Sequence, residues 1–392
     1  MNRERSPEPR NEIGPPPRSL RIAMLGSKGI PARHGGIERH VEELARRLVQ
    51  RGHRVDVFTR AYHPVRTATC DGVRLLRRPS LQTKHFDAAS HTALCAIESA
   101  VRGGYDILHF HGIGPGLFLP WAGKRARTVF TYHAQDWRQR KWGPAARWFL
   151  RQGERTAIRH AGAVIAVSHL LQRYVQDTYG RQAHYIPNGA TFDIPDGDAA
   201  LAQWGLRPEG YVLFVGRILA DRGLGTLLDA FAALDGAHRL AVVGDVHVSP
   251  AALRALQARA DPRVVFTGYQ AGATLQSLYA NAAVCVHPSE IEGLPIAVLE
   301  AMAHARPVVV SDIAENLEAI GDTGVAFPVG NPDALRHVLA ELLTQPQRAA
   351  ALGQKACARA RASYNWEDIV RATEDVYRSL ARARGDRGSR RP

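Results

Sequence analysis

The chain is 392 residues long, 45% hydrophobic and 22% charged, with a formal net charge of +14. That length exceeds the roughly 250–300 residues at which a single core stops growing, so two domains are expected. No apolar run approaches the roughly 18–20 residues of a membrane span, and the widely spaced Cys70, Cys95, Cys285 and Cys357 include no CxxC, so they read as reduced thiols of a cytoplasmic protein.

Residues 1–19 are rich in proline and charge and lack an apolar stretch, which predicts a disordered tail rather than a signal peptide. Leu20–Leu25 then has the length of a buried strand. The loop after it, "GSKGIPARHGG", ends in Gly35 and Gly36. Beyond them Val41, Leu44, Ala45 and Leu48 fall at helical spacing up to Gly52. Strand, glycine loop and helix open a βαβ unit whose helix N-terminus suits an anion; a tight turn alone would use the same glycines. The spacing is not GxGxxG, so no dinucleotide fingerprint is supported.

Further strands are expected at 54–59, 73–77, 106–110, 128–132, 163–167 and 184–187. His109 and His111 alternate at one strand end, but no HExxH motif or Cys/His cluster accompanies them, and no metal site is expected. Between Lys124 and Arg159, ten Lys and Arg face only Asp136 and Glu154, with Trp137, Trp142, Trp148 and Phe149 interleaved. No RNP, helix-turn-helix or zinc-finger pattern goes with this charge, so nucleic acid is not expected as a partner. A basic helix with tryptophans fits peripheral contact with an anionic membrane; a solvated basic face is the alternative.

"YIPNGATFDIPDGD" interrupts the pattern as a linker, and its "DGD" has no strand before it. A second series of strands follows at 211–216, 239–244, 263–268, 283–288, 307–311 and 325–329. The fold class is therefore α/β, with two doubly wound, Rossmann-like domains facing a cleft. In such sheets ligands bind beyond the carboxyl ends of the strands.

Two segments of the second half fall at those ends. "FVGRILADRGLG" puts Gly216 and Arg217 just past a strand and Arg222 before a helix, a pair of cations that suits a diphosphate. "EIEGLPIAVLE" places Glu290 and Glu292 in a loop and Glu300 within the next helix, two depths from which carboxylates can grip vicinal hydroxyls.

Taken together, "GIPARHGGIERHVEELARRL", "VFTYHAQDWR", "VIAVS", "YIPNG", "VGRI", the Glu-x7-Glu run "EGLPIAVLE" and the closing "ASYNWEDIVRATEDVY" resemble the retaining nucleotide-sugar glycosyltransferases of family 4, which have the GT-B fold. The first loop and "HAQDWR" look most like the subgroup that builds bacterial cell-surface polysaccharides. The resemblance implies an acceptor-side domain over 20–190, a nucleotide-sugar domain over 191–363 and a crossover helix over 364–382 packing back on the first domain, and the composition beyond it predicts a disordered basic tail over 383–392. It implies that Gly35 and Gly36 let the backbone approach the donor phosphates and that Arg217 and Arg222 bind the diphosphate. Glu300 would take the ribose hydroxyls and Glu292 the sugar hydroxyls, with N–H groups around Gly293 and Leu294 meeting the sugar or its phosphate. His133 matches a histidine near the reaction centre, and Asp136 and Ser168 match further family positions. The family usually has lysine where this chain has Arg222. The expected partners are a nucleotide-sugar donor and a glycan or lipid-linked acceptor, with no cofactor and no metal. A non-catalytic homologue and a nucleotide-sugar epimerase are the alternatives.

Overall fold

The computed structural model describes residues 18–33, 35–83, 86–122, 127–193 and 197–388. Lys124, Arg125 and nearly all of the tail over 1–19 lie outside the described residues, as do the last residues of the basic tail.

The first domain contains β1 (Arg21–Leu25), β2 (Arg54–Arg60), β3 (Thr69–Cys70), β4 (Val73–Arg78), β5 (Ile107–His111), β6 (Arg127–Tyr132), β7 (Ala163–Ala166) and β8 (His184–Tyr185). Its helices are α1 (Gly36–Gln50), α2 (Asp87–Arg102), the single turn α3 (Ile113–Gly116), α4 (Pro144–His160) and α5 (His169–Tyr179). The sheet order is β3-β4-β2-β1-β5-β6-β7-β8. The strands run parallel except for β3, which pairs antiparallel with β4. β3 was not expected from sequence. It is two residues long and joins β4 through Asp71 and Gly72, both at positive φ (49° and 79°), the backbone of a tight two-residue hairpin.

The second domain contains β9 (Tyr211–Val215), β10 (Arg239–Val243), β11 (Val264–Gly268), β12 (Val284–His287), β13 (Val308–Ser311) and β14 (Val325–Phe327), in the order β11-β10-β9-β12-β13-β14. Around it lie α6 (Leu224–Ala232), α7 (Pro250–Ala258), α8 (Gly272–Ala280), α9 (Ile296–Ala303), α10 (Ala314–Ile320), α11 (Pro332–Thr344) and α12 (Pro346–Ser363). Both sheets are covered on both faces, which is why their strands read as continuous apolar runs rather than alternating ones.

The last helix, α13 (Trp366–Gly388), lies against α1 and runs through residue 388, so the first six residues of the expected disordered tail are helical. Its apolar side buries Trp366, Ile369, Val370 and Tyr377 in one core with Val41, Leu44 and Leu48 of α1. Glu374 anchors it. Its carboxylate accepts from Arg51 Nε at 2.7 Å and from Arg378, and lies 3.2 Å from His53 Nε2. Leu20 N–H donates to His53 Nδ1 at 3.1 Å, so the His53 proton is on Nε2, facing the carboxylate. The two crossings between domains run side by side: Ala190 N–H donates to the Tyr364 carbonyl at 2.9 Å, and Ala190 bridges Asn365.

Candidate active site

The carboxyl ends of both sheets face a cleft of about 510 Å³ lined by both domains. On its floor the exits of β9 and β10 abut: a Cβ on Gly244, at φ +152°, would fall 1.9 Å from the Gly216 carbonyl oxygen. Only glycine permits that approach.

The glycine loop forms the first domain's wall, held by the acids of its own helix. Lys28 N–H donates to Glu38 at 3.2 Å and Ala32 N–H to Glu42 at 3.3 Å. Gly35 is extended at φ 161° and caps α1 without a side chain. A Cβ there would sit 3.7 Å from Arg217 Nε, and one on Gly36 would sit 3.5 Å from Ile296 Cδ1. The glycine pair and Arg217 therefore face each other across the cleft, close to the unpaired N–H groups of the α1 N-terminus.

Arg222 is tied more tightly. Its side chain, only 16% exposed, pairs with Glu292, whose side chain is 10% exposed. Its guanidinium also reaches Ser289 Oγ and the Ile291 carbonyl at 3.4 Å. Burial and the nearby Arg217 pull its pKa down to about 10, so it keeps its charge at neutral pH. Glu292 in turn accepts from His287 Nε2 at 2.9 Å. The two residues expected to act separately on diphosphate and sugar are thus one ion pair at the cleft wall. Glu300, on α9, is held high by burial, partly offset by Arg39, whose Nε lies 3.7 Å away on α1.

Sequence reasoning missed a buried histidine cluster behind His133. Asn188 donates Nδ2–H to the Leu294 carbonyl at 2.9 Å, so its Oδ1 is the acceptor facing His40 Nδ1 at 3.0 Å. The His40 proton is therefore on Nδ1. His109 is fully engaged, by the Tyr377 hydroxyl and Thr131 Oγ1, each at 2.6 Å. His111 Nδ1 lies 3.1 Å from His133 Nε2, while His111 Nε2 is buried without a hydrogen-bond partner. A buried orphan lone pair is tolerated better than a buried orphan N–H. His111 Nδ1–H therefore donates to His133 Nε2, which leaves the His133 proton on Nδ1. Burial keeps the cluster neutral, with His40 lowered to about 4 and His111 and His133 held well below the usual imidazole range. His40, His111 and His133 bring ring nitrogens within 4.8 Å of one another. Among the described residues no acidic group acts on any of the three, so a divalent ion there would be buried without counter-charge from them, at a cost of several kcal/mol.

Several side chains of the basic stretch have other work. Arg138 pairs with Glu315 at 3.0 Å and Arg140 with Glu290 at 2.6 Å, both across the domains. Trp137 donates to Glu154 at 2.8 Å. This stretch is not one helix with a common face but β6, a 3-10 turn and α4. Ser168 caps α5, accepting from Leu171 N–H at 3.2 Å. Asp136 accepts from Gln139 at 2.8 Å, and burial raises its pKa.

Comparison with known proteins bears on both halves. A family model described as Glycosyltransferase Family 4 matches residues 34–193, and one described as Glycosyl transferases group 1 matches residues 209–345. The chain is 27% identical to a D-inositol 3-phosphate glycosyltransferase of Xylanimonas cellulosilytica, over 94% of this chain and 99% of that protein. It is also 27% identical to a phosphatidyl-myo-inositol mannosyltransferase of Mycobacterium leprae, over 92% and 97%. Among solved structures, sucrose-phosphate synthase of Thermosynechococcus elongatus superposes with a TM-score of 0.79 at 25% identity, over 93% of this chain and all of that one. HepE of Anabaena in complex with UDP-glucose superposes with a TM-score of 0.75 at 20% identity, over 92% and 100%.

Proposed function

We propose that this chain, which belongs to the retaining group 1, family 4 glycosyltransferases of GT-B fold, moves a sugar from a nucleoside-diphosphate sugar to a hydroxyl of a glycan or lipid-linked glycan in cell-surface polysaccharide synthesis. The observation that carries this reading is the meeting of Arg217 with the Gly35 backbone across one cleft that Gly36 and Glu300 also line. Arg217, Arg222 and the α1 N–H groups would stabilise the charge that grows on the departing diphosphate, an electrostatic role fixed before the reaction begins. The sugar ring, developing positive charge, would lie in the cleft beside the junction of the His133 end of β6 with the Gly293–Leu294 backbone. The leaving phosphate can accept the acceptor's proton on the same face, which retains configuration without a carboxylate nucleophile. Two guanidinium groups serve the diphosphate, so the reading calls for no metal.

The relatives' names point to different acceptors, and the acceptor here is left at the level of a glycan hydroxyl. The test is incubation with UDP-, GDP- and dTDP-sugars. Release of nucleoside diphosphate, or formation of glycoside, is the expected result. Binding without turnover would make the chain a non-catalytic homologue, and sugar interconversion without release would make it an epimerase.

A further inference from the structure

We propose that the outer face of α2, with Trp121 beside it and the arginines of α4 flanking it, docks on an anionic lipid bilayer. On α2, Leu94, Ile97 and Val101 are 38%, 46% and 75% exposed, and Phe86 at its N-cap is 62% exposed. At 100° per residue these four fall within an arc of about 80°. Ser90 fills the rest of that arc, Ala93 and Ala100 border it on one side, and it contains no charge. The charged Glu98 sits to one side, occupied by Arg78 and by Arg102 at 3.1 Å. Scattered exposed apolar residues are ordinary, and the second domain's, Val246, Tyr269, Leu317 and Val329, do not share one helix face. A charge-free stripe along four turns of one helix is different.

The turn Leu119–Ala122 contacts both α2 and α4 and presents Trp121, 52% exposed, between them. The outward side of α4 then carries Arg147, Trp148, Arg151, Arg155 and Arg159, all exposed, while Gly153, Glu154, Ala157 and Ile158 face inward. Apolar side chains, interfacial tryptophan and a basic border are the composition of a surface that lies in the headgroup layer. Charge selects the occupant. Residues 20–190 hold 27 Lys and Arg against 11 Asp and Glu, an excess of 16 that exceeds the +14 of the whole chain. A second copy would bring the same positive field to the contact, and one helical stripe is small beside the roughly 800 Å² per partner of a stable dimer. An anionic leaflet meets both the charge and the stripe. The face is separate from the cleft residues, so the proposal does not depend on the transfer reading.

Flotation of the full chain with vesicles of phosphatidylcholine alone, or containing phosphatidylglycerol, tests it without any sugar substrate. Binding should require phosphatidylglycerol and weaken with salt. Reversing Arg147, Arg155 and Arg159 to Glu should lower the partition coefficient, each cation withdrawn from the leaflet costing about fivefold. The triple variant Leu94→Gln/Ile97→Gln/Val101→Gln should lose stable association while keeping its thermal unfolding temperature, and Leu317→Gln should bind as the parent does. Equal binding by parent and triple variant, or no binding to phosphatidylglycerol vesicles, would overturn the proposal. So would a sedimenting dimer that the triple variant breaks, which would assign the stripe to a second copy.

Discussion

A Cβ on Gly293 would fall 1.7 Å from the carbonyl oxygen of His133. The two domains therefore meet backbone to backbone at one end of the cleft. Gly293→Ala should force them apart by on the order of 1 Å while leaving each core intact. Misplacing reacting groups by about 1 Å can cost on the order of 10²-fold in rate. Steady-state kinetics should show that loss in kcat, with unfolding temperature unchanged. Full activity would mean that the closed arrangement is not the reacting one.

The two arginines should separate in their variants. Arg217 faces the glycine loop, so Arg217→Ala should cost about 10²–10³ in kcat, the usual loss for a fixed group aimed at developing charge. Arg222 serves Glu292, Ser289 and the Ile291 carbonyl at once. Lysine keeps the charge but cannot span three partners. Arg222→Lys should stay active with a loss under about tenfold, and partial proteolysis should find the 289–292 loop looser. Inactivity of Arg222→Lys would show that the diphosphate site depends on arginine's planar fork and not on charge alone.

The sequence showed the fold well because a parallel sheet buried on both faces must be written in apolar runs, and each expected strand is present. β3 escaped because two residues carry no periodicity. That Arg217, Glu292 and Glu300 would line the cleft was legible from a strand end, a loop and the helix that follows it. The pairing of Arg222 with Glu292 was not, since spacing along the chain says nothing of which side chains turn toward each other. His40 and Asn188 were missed for a stronger reason. They are 148 residues apart in sequence, and only the crossing between the domains brings them together.

His111 should matter through His133 rather than through substrate. His111→Phe removes the donor that holds His133 Nε2 and frees its ring. One hydrogen bond's worth of orientation, about 0.5–1.5 kcal/mol, corresponds to a loss of up to about tenfold. His111→Asn, with a donor near the Nδ1 position, should recover most of it. Nucleotide affinity by calorimetry should be the same in all three proteins. Weaker nucleotide binding in His111→Phe would point to collapse of the wall instead. Because burial holds this cluster neutral, the parent's rate should not titrate with a histidine between about pH 6 and 8.

Acid should release α13. Burial pushes the Glu374 carboxyl up, but hydrogen bonds from Arg51 and Arg378 outweigh it and bring it to about 2. The folded pKa lies below the unfolded value near 4.3, so the carboxylate's stabilisation is complete above that value and is lost as pH falls toward 2. His53 acts in the same direction from a higher pH. Burial lowers its pKa despite Glu374 beside it, so its contribution is whole above about 6.5 and declines below. Glu374→Gln should cost about 1.5–3 kcal/mol at neutral pH, as for a hydrogen bond to a charged group. That difference should shrink toward nothing as pH falls through 2, where the parent's carboxyl takes up its own proton. Denaturant unfolding across the pH series, read by the fluorescence of Trp366 and its neighbours, checks the convergence. A gap between parent and variant that stays constant with pH would mean that Glu374 holds α13 by packing rather than by charge.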